Sequence, residues 1–236
     1  MAEPLVFLPE VLCDARLFGP QIAEFSRETA VMVAPIHLGE RVEEIASGLL
    51  DSLPRRCALA GLGLGGMVAM EIQRRAPDRV TRMMLMDTSP LADTPAQAAE
   101  RDPVIIKARA GRFNEAVAGL LPPESLAPGP YRREIQAMVE EMAQGLGIEV
   151  LVRQVRALQR RRDQQAMLRK VRAPVTVLCG EADTLYPEKR HAFMAELIPQ
   201  AELRVIAGAG HLPVLENPDA VSDAIREWLR APFLLR

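Results

Sequence analysis

The stretch CALAGLGLGGMVAMEI, residues 57–72, decides the fold. Cys57–Ala60 is a short apolar run. Gly61-Leu62-Gly63-Leu64-Gly65-Gly66 follows, and then a helical pattern that stops before Pro77. A buried strand, a sharp bend and a helix is the reading these residues dictate. A bend tight enough to expose its central residue needs small neighbours, and the helix that leaves it needs small residues to pack on a sheet. Four glycines meet both demands. The residue at the tip, Gly63, has no side chain, so the bend carries no reactive atom of its own.

Working outward, five more apolar runs have the same continuous character: Leu5–Leu8, Ala30–Val33, Met83–Met86, Val175–Cys179 and Leu203–Ile206. Runs without in/out alternation suit strands covered on both faces. Helical patterns alternate with them, among them Arg41–Leu50 and NPDAVSDAIREWLR, where Asn217 is the expected cap and Pro218 the first helical residue. The order predicts an α/β fold with a doubly wound, mainly parallel sheet of about six strands. Between the fourth and fifth runs the alternation lapses. Residues 93–169 hold no convincing strand and are expected to form a small helical cap inserted into one domain, whose core is 1–92 and 170–236. Within the insert Ile135, Met138, Val139 and Met142 share a helix face, read as packing within the cap.

Composition narrows the function. The chain of 236 residues has 29 basic and 31 acidic groups, a balance that disfavours nucleic acid or an anionic membrane as the main partner. A small-molecule substrate suits it better. No run is long enough to span a bilayer, and the N-terminus lacks a basic leader region. Cys13, Cys57 and Cys179 show no metal-ligand spacing, so no metal or cofactor is expected and a cytoplasmic setting suits the thiols. The glycine series lacks the Lys and Ser/Thr of a phosphate loop and follows the third strand, which argues against a dinucleotide fingerprint. Asp87 is read as ending the fourth strand. The cluster Arg160, Arg161 and Arg162 is read as a solvated face, and His37 and His191 as surface residues.

Ligands of such sheets bind beyond the carboxyl ends of the strands. There the fifth run leads into LCGEADTLYP, placing Asp183 on the loop, and the sixth into IAGAGHLPVLENP, lifting His211 on a glycine-rich loop. An acid and then a histidine on successive strand-end loops is a signature of proton-transfer chemistry.

With GLxLGG at 61–66, GEAD at 180–183 and GAGHLPVLENP at 208–218, the sequence from about Leu5 to Leu229 resembles a compact α/β-hydrolase of the kind that includes enol-lactonases, small carboxylesterases and C–C bond hydrolases. The resemblance implies that Asp183 is the triad acid, His211 the general base, and the N–H groups of Val11 and Leu64 an oxyanion hole. It also implies a serine where this chain has Gly63, and His-Gly or Pro-Gly where it has Pro9-Glu10. Three readings stay open. One is an enzyme in which His211 and Asp183, with Glu10 as a second acid-base group, act on a small carbonyl compound without a serine nucleophile. Another is a serine hydrolase disabled by glycine. The third is a non-catalytic binder. Glu10 could also be a solvent-facing loop residue. Cys13 lacks an evident base and is expected to be buried and inert.

Overall fold

A computed structural model describes residues 3–232. Six strands, β1 (Leu5–Leu8), β2 (Val31–Val33), β3 (Cys57–Leu62), β4 (Val80–Met86), β5 (Val175–Gly180) and β6 (Glu202–Ile206), form one parallel sheet in the order β2-β1-β3-β4-β5-β6 with helices on both sides. β1, β3, β4 and β5 are buried along their whole length. The two edge strands are not. β2 is half-buried, and in β6 Glu202, Arg204 and Val205 are exposed, because each has a neighbour on one side only.

Helices α1 (Gly19–Phe25), α2 (Val42–Leu50) and α3 (Leu64–Arg75) follow β1, β2 and β3. Between β4 and β5 come α4 (Pro95–Ala99), α5 (Asp102–Arg109), α6 (Phe113–Leu120), α7 (Arg132–Leu146), α8 (Ile148–Gln159) and α9 (Gln165–Leu168), with no strand among them. α10 (Glu188–Leu197), α11 (Pro213–Glu216) and α12 (Pro218–Arg230) complete the chain. The Asn217 side chain accepts from the Ala220 N–H at 3.4 Å, and Pro218 opens α12. On α7, Ile135, Val139 and Met142 are buried. No helix among the described residues is long and apolar enough to cross a membrane.

Sheet register positions the site. β1 and β3 are parallel neighbours with Leu8 opposite Gly61, so the residues just beyond them, Glu10 and Gly63, leave the sheet side by side. The glycines of the bend permit this approach: a Cβ on Gly65 would lie 2.0 Å from the Leu8 carbonyl oxygen. Across the middle of the sheet Met86 is opposite Leu178, which sends Asp87 toward the end of β5.

Two surface expectations are corrected. Arg161 is buried and pairs with Asp93 at 2.6 Å, whereas its neighbours Arg160 and Arg162 are exposed and pair with Glu40 and Glu43. Successive residues at a helix end point in different directions, and the middle arginine points inward. His191 is fully buried on α10, and its Nε2 accepts from the Thr88 N–H at 3.1 Å. His37 is half-buried.

Candidate active site

The bend after β3 turns at Gly63, whose φ is +51° and ψ −113°. That conformation favours glycine. A Cβ built at this position would lie 1.1 Å from Oε2 of Glu10. The carboxylate of Glu10 therefore fills the space that a side chain at position 63 would take.

Glu10 is buried and held from several directions. The Val11 N–H donates to Oε1, as does the Leu64 N–H at 3.2 Å. Leu64 is the first residue of α3, so the positive end of that helix also faces the carboxylate. Oε2 lies 3.1 Å from Nε2 of His211. The loop that carries Glu10 closes through the Cys13 N–H donating to the Glu10 carbonyl at 3.1 Å, with Leu12 at φ +56°. Gln154 of α8 accepts from the Leu12 N–H at 2.8 Å and so ties this loop to the helical segment above it.

His211 is fixed on its other ring nitrogen. Nδ1 lies 2.9 Å from Oδ2 of Asp183, whose Oδ1 accepts from the N–H groups of Leu185 at 2.8 Å and Tyr186 at 3.2 Å. The histidine loop is built by backbone contacts. His211 N–H donates to the Ser125 carbonyl at 2.8 Å, and Glu216 accepts from the N–H groups of Gly210 and Leu212, both at 2.9 Å. The Tyr186 ring lies against the imidazole, with centroids 5.8 Å apart.

Charges follow from this packing. Burial opposes an imidazolium at His211, but the carboxylates of Asp183 and then Glu10 outweigh it and raise its pKa well above the ordinary value. Burial pushes against ionisation of Asp183, yet the His211 charge and hydrogen bond bring its pKa below the ordinary range. His211 thus lies between the Asp183 and Glu10 side chains, which favour its protonated form.

Asp87 adds a third acid that the strand-end reading misses. It accepts from the Gly180 N–H at 2.9 Å, and burial together with the Asp183 charge pushes its pKa well up. Asp87, Asp183 and His211 offer potential ligand atoms within 4.8 Å of one another. The hydrogen bonds to Asp183 already use both of its oxygens, one of them on His211 Nδ1. The donor set fits a proton relay better than a metal ion.

Cys13 is buried, and burial, followed by the Glu10 charge, raises its thiol pKa well above the ordinary value. A thiol in that state is a weak nucleophile. His191 supports the site from behind. Its Thr88 partner donates through Oγ1 to the Gly63 carbonyl at 2.6 Å, which braces the bend.

Glu10, Val11 and His211 form one wall of an open cavity of about 570 Å³, lined on other sides by residues that include Arg101, Tyr186 and Arg190. A small organic molecule fits such a space. Arg101 and Arg161 both pair with Asp93, at 2.8 and 2.6 Å, which fixes the cationic side of the cavity.

The chain is similar in sequence and fold to several known proteins. The chain is 29% identical over 217 residues to a pimeloyl-[acyl-carrier protein] methyl ester esterase of Aromatoleum aromaticum, covering 81% of each chain. It is 26% identical over 186 residues to a putative carbamate hydrolase of Pseudomonas savastanoi, covering 78% of this chain and 71% of that one. Among solved structures, a thermophilic esterase from Thermogutta terrifontis superposes with a TM-score of 0.86 at 27% identity, over 97% of this chain and 89% of the other. An enol-lactonase from Burkholderia xenovorans shares the fold, with a TM-score of 0.84 at 22% identity over 98% and 92%. The model of the alpha/beta hydrolase family matches residues 13–224, and the chain belongs to that family.

Proposed function

We propose that this chain is a hydrolase-family enzyme acting on a small carbonyl compound, such as a lactone, activated ester, enol or β-diketone, without an acyl-enzyme at position 63. Asp183, His211 and Glu10 move the proton. The observation that carries this reading is the seat of the Glu10 carboxylate, over Gly63 and 3.1 Å from His211 Nε2. Resemblance to esterases puts serine at position 63; here a carboxylate linked to the same histidine stands in its place.

In this reading Asp183 orients His211 and stabilises its charge. Water or an acidic group of the substrate, brought against Oε2 from the cavity, gives its proton to Glu10, while His211 at Nε2 stabilises the anion that forms. A hydroxide or enolate equivalent results. The Val11 and Leu64 N–H groups hold Oε1 and reach a substrate oxygen only when the carboxylate swings aside, so the preferred substrates are reactive ones. Positioned acid-base groups supply about 10²–10⁴ in rate, enough for an activated ester or lactone and too little for a plain amide. The names of the relatives agree with a carbonyl substrate: a methyl ester, a carbamate and an enol-lactone. A glycine placed at position 63 merely to disable a serine enzyme does not account for Glu10, whose carboxylate overlaps the serine position.

The test compares the unaltered chain with His211→Ala against a panel of activated aryl esters, enol esters and lactones, with folding followed by circular dichroism. Turnover by the unaltered chain and its loss by about 10²–10⁴ in the variant is expected. Equal rates for the two proteins, or no turnover of any panel member, overturns the reading.

A further inference from the structure

Arg101 and Arg161 share Asp93 but spend their donors differently. Every side-chain nitrogen of Arg161 is engaged: Nε donates to the Leu91 carbonyl at 2.9 Å, Nη1 donates to the Leu158 carbonyl at 3.0 Å, and Nη2 lies 2.6 Å from Asp93. That arginine is structural. Arg101 reaches Asp93 through Nε alone, at 2.8 Å, and among the described residues its two terminal nitrogens have no hydrogen-bond partner. It stands just ahead of α5, its side chain 24% exposed, and borders the cavity that Glu10 and His211 line. Burial works against its charge, but the Asp93 hydrogen bond, followed by Tyr186 and the Asp93 and Glu10 charges, outweighs burial. The guanidinium is therefore charged and within electrostatic reach of Glu10.

A second cation stands at the same cavity. Arg190, in the first turn of α10, is half-buried and makes no side-chain hydrogen bond or ion pair among the described residues. Of the acids that border the cavity, Asp93 is taken by its two arginines, and Glu10 by His211 and the N–H groups of Val11 and Leu64. Glu100 and Asp163 border it too, but both are exposed to solvent, which screens them, and Asp163 accepts from Gln165. A planar guanidinium with both terminal nitrogens free is a two-pronged donor matched to a carboxylate. An acid on the bound molecule answers it.

We propose that the substrate carries a carboxylate in addition to the carbonyl that reacts, and that Arg101 seats this second acid on its terminal nitrogens while Arg190 contributes a further positive charge. This narrows the substrate class of the carbonyl reading, on which it rests, to acid-bearing esters, lactones and enols. Asp93 gains a positioning role, because its hold on Nε fixes the direction of the Arg101 fork. The cation also offsets the repulsion between the substrate acid and Glu10. Contact with an acid remote from the reacting carbonyl is the same before and during the reaction, so it is expressed in KM more than in kcat.

The experiment measures initial rates of the full chain on the 4-nitrophenyl half-esters of glutarate and adipate and on the neutral 4-nitrophenyl valerate and hexanoate of matching length, each corrected for spontaneous hydrolysis. For at least one pair, kcat/KM of the acid should exceed that of its neutral partner by about tenfold or more, mainly through KM. Arg101→Gln should bring that ratio down toward unity. Arg101→Lys, which keeps the charge and loses the fork, should leave an intermediate ratio, and Arg190→Gln should reduce it in part. If Arg101→Gln does not fold, Arg101→Lys and Arg190→Gln decide. A ratio near unity for both pairs in the unaltered chain, or a ratio that survives in every folded variant, overturns the proposal; neutral-ester turnover that depends on His211 then leaves the carbonyl reading standing. No turnover of any of these esters brings down the carbonyl reading itself, and the carboxylate seat with it.

Discussion

Oε2 of Glu10 lies 1.1 Å from the point where a Cβ on residue 63 would be, so these two positions compete for one volume. Gly63→Ser alone should therefore fail to produce an esterase. The new side chain meets the carboxylate, and φ of +51° adds a strain of about 1–3 kcal/mol. Removing the competitor with Glu10→Gly in the same chain frees both the space and the two N–H donors. Initial rates on an activated aryl ester should be at least about 10²-fold higher for the double variant than for either single one. A Gly63→Ser chain as active as the double variant would show that the two positions do not compete.

Glu10 and Asp183 together raise the pKa of His211, so removing one charge should lower it. NMR titration of the imidazole should give a value above 6.5 in the unaltered chain and a lower one in Glu10→Gln. A group whose folded pKa is raised contributes stability that is fully present below about pH 6.5 and is lost as pH rises through the folded value. Denaturant midpoints of the unaltered chain and Glu10→Gln should accordingly differ most on the acid side of that window.

His191 behaves in the opposite way. Burial lowers its pKa from 6.5 to about 4, and the Thr88 N–H donates to a neutral Nε2. The unfolded chain then binds more protons between those values. Stability should fall as pH drops from 6.5 toward 4, by up to about 3 kcal/mol, and this contribution should flatten below that. Proton uptake on unfolding, or a direct imidazole titration, checks it. A His191 that titrates near 6.5 would remove the effect.

Much of the fold is legible in the sequence because burial of a central parallel strand on both faces leaves a continuous apolar run, as at Leu5–Leu8, Cys57–Ala60 and Val175–Cys179. Asp183 and His211 are legible for a related reason: the chain must end each strand at the same edge of the sheet. Glu10 is harder. Nothing in PEV, residues 9–11, tells whether its side chain turns to solvent or inward. The signal lies in the pairing of β1 with β3, where Leu8 opposite Gly61 sets Glu10 beside Gly63, which has no side chain. Pairing is a long-range property, and the glycine and the glutamate are informative only together. His191 and Arg161 escape sequence reading because a polar residue on a short helix or at a helix end carries no local mark of which way it points.

Asp93 is the common partner of Arg101 and Arg161, and its side chain is 3% exposed. Both arginines come from the helical segment, one just before α5 and one just after α8, and both border the cavity. Removing the acid leaves Arg161, whose side chain is 6% exposed, without its carboxylate partner. Breaking a buried pair by deleting one partner costs about 3–5 kcal/mol, more than the pair itself contributes. Asp93→Ala should lower the unfolding free energy by about that amount, measured by urea titration. Asp93→Asn, which retains hydrogen-bond acceptance but not charge, should lose less. Arg161→Met in the Asp93→Ala background should recover part of the loss, since it removes the stranded charge and keeps the volume. A double variant no more stable than Asp93→Ala would show that the arginine is solvated and that the cavity wall is not held by this pair.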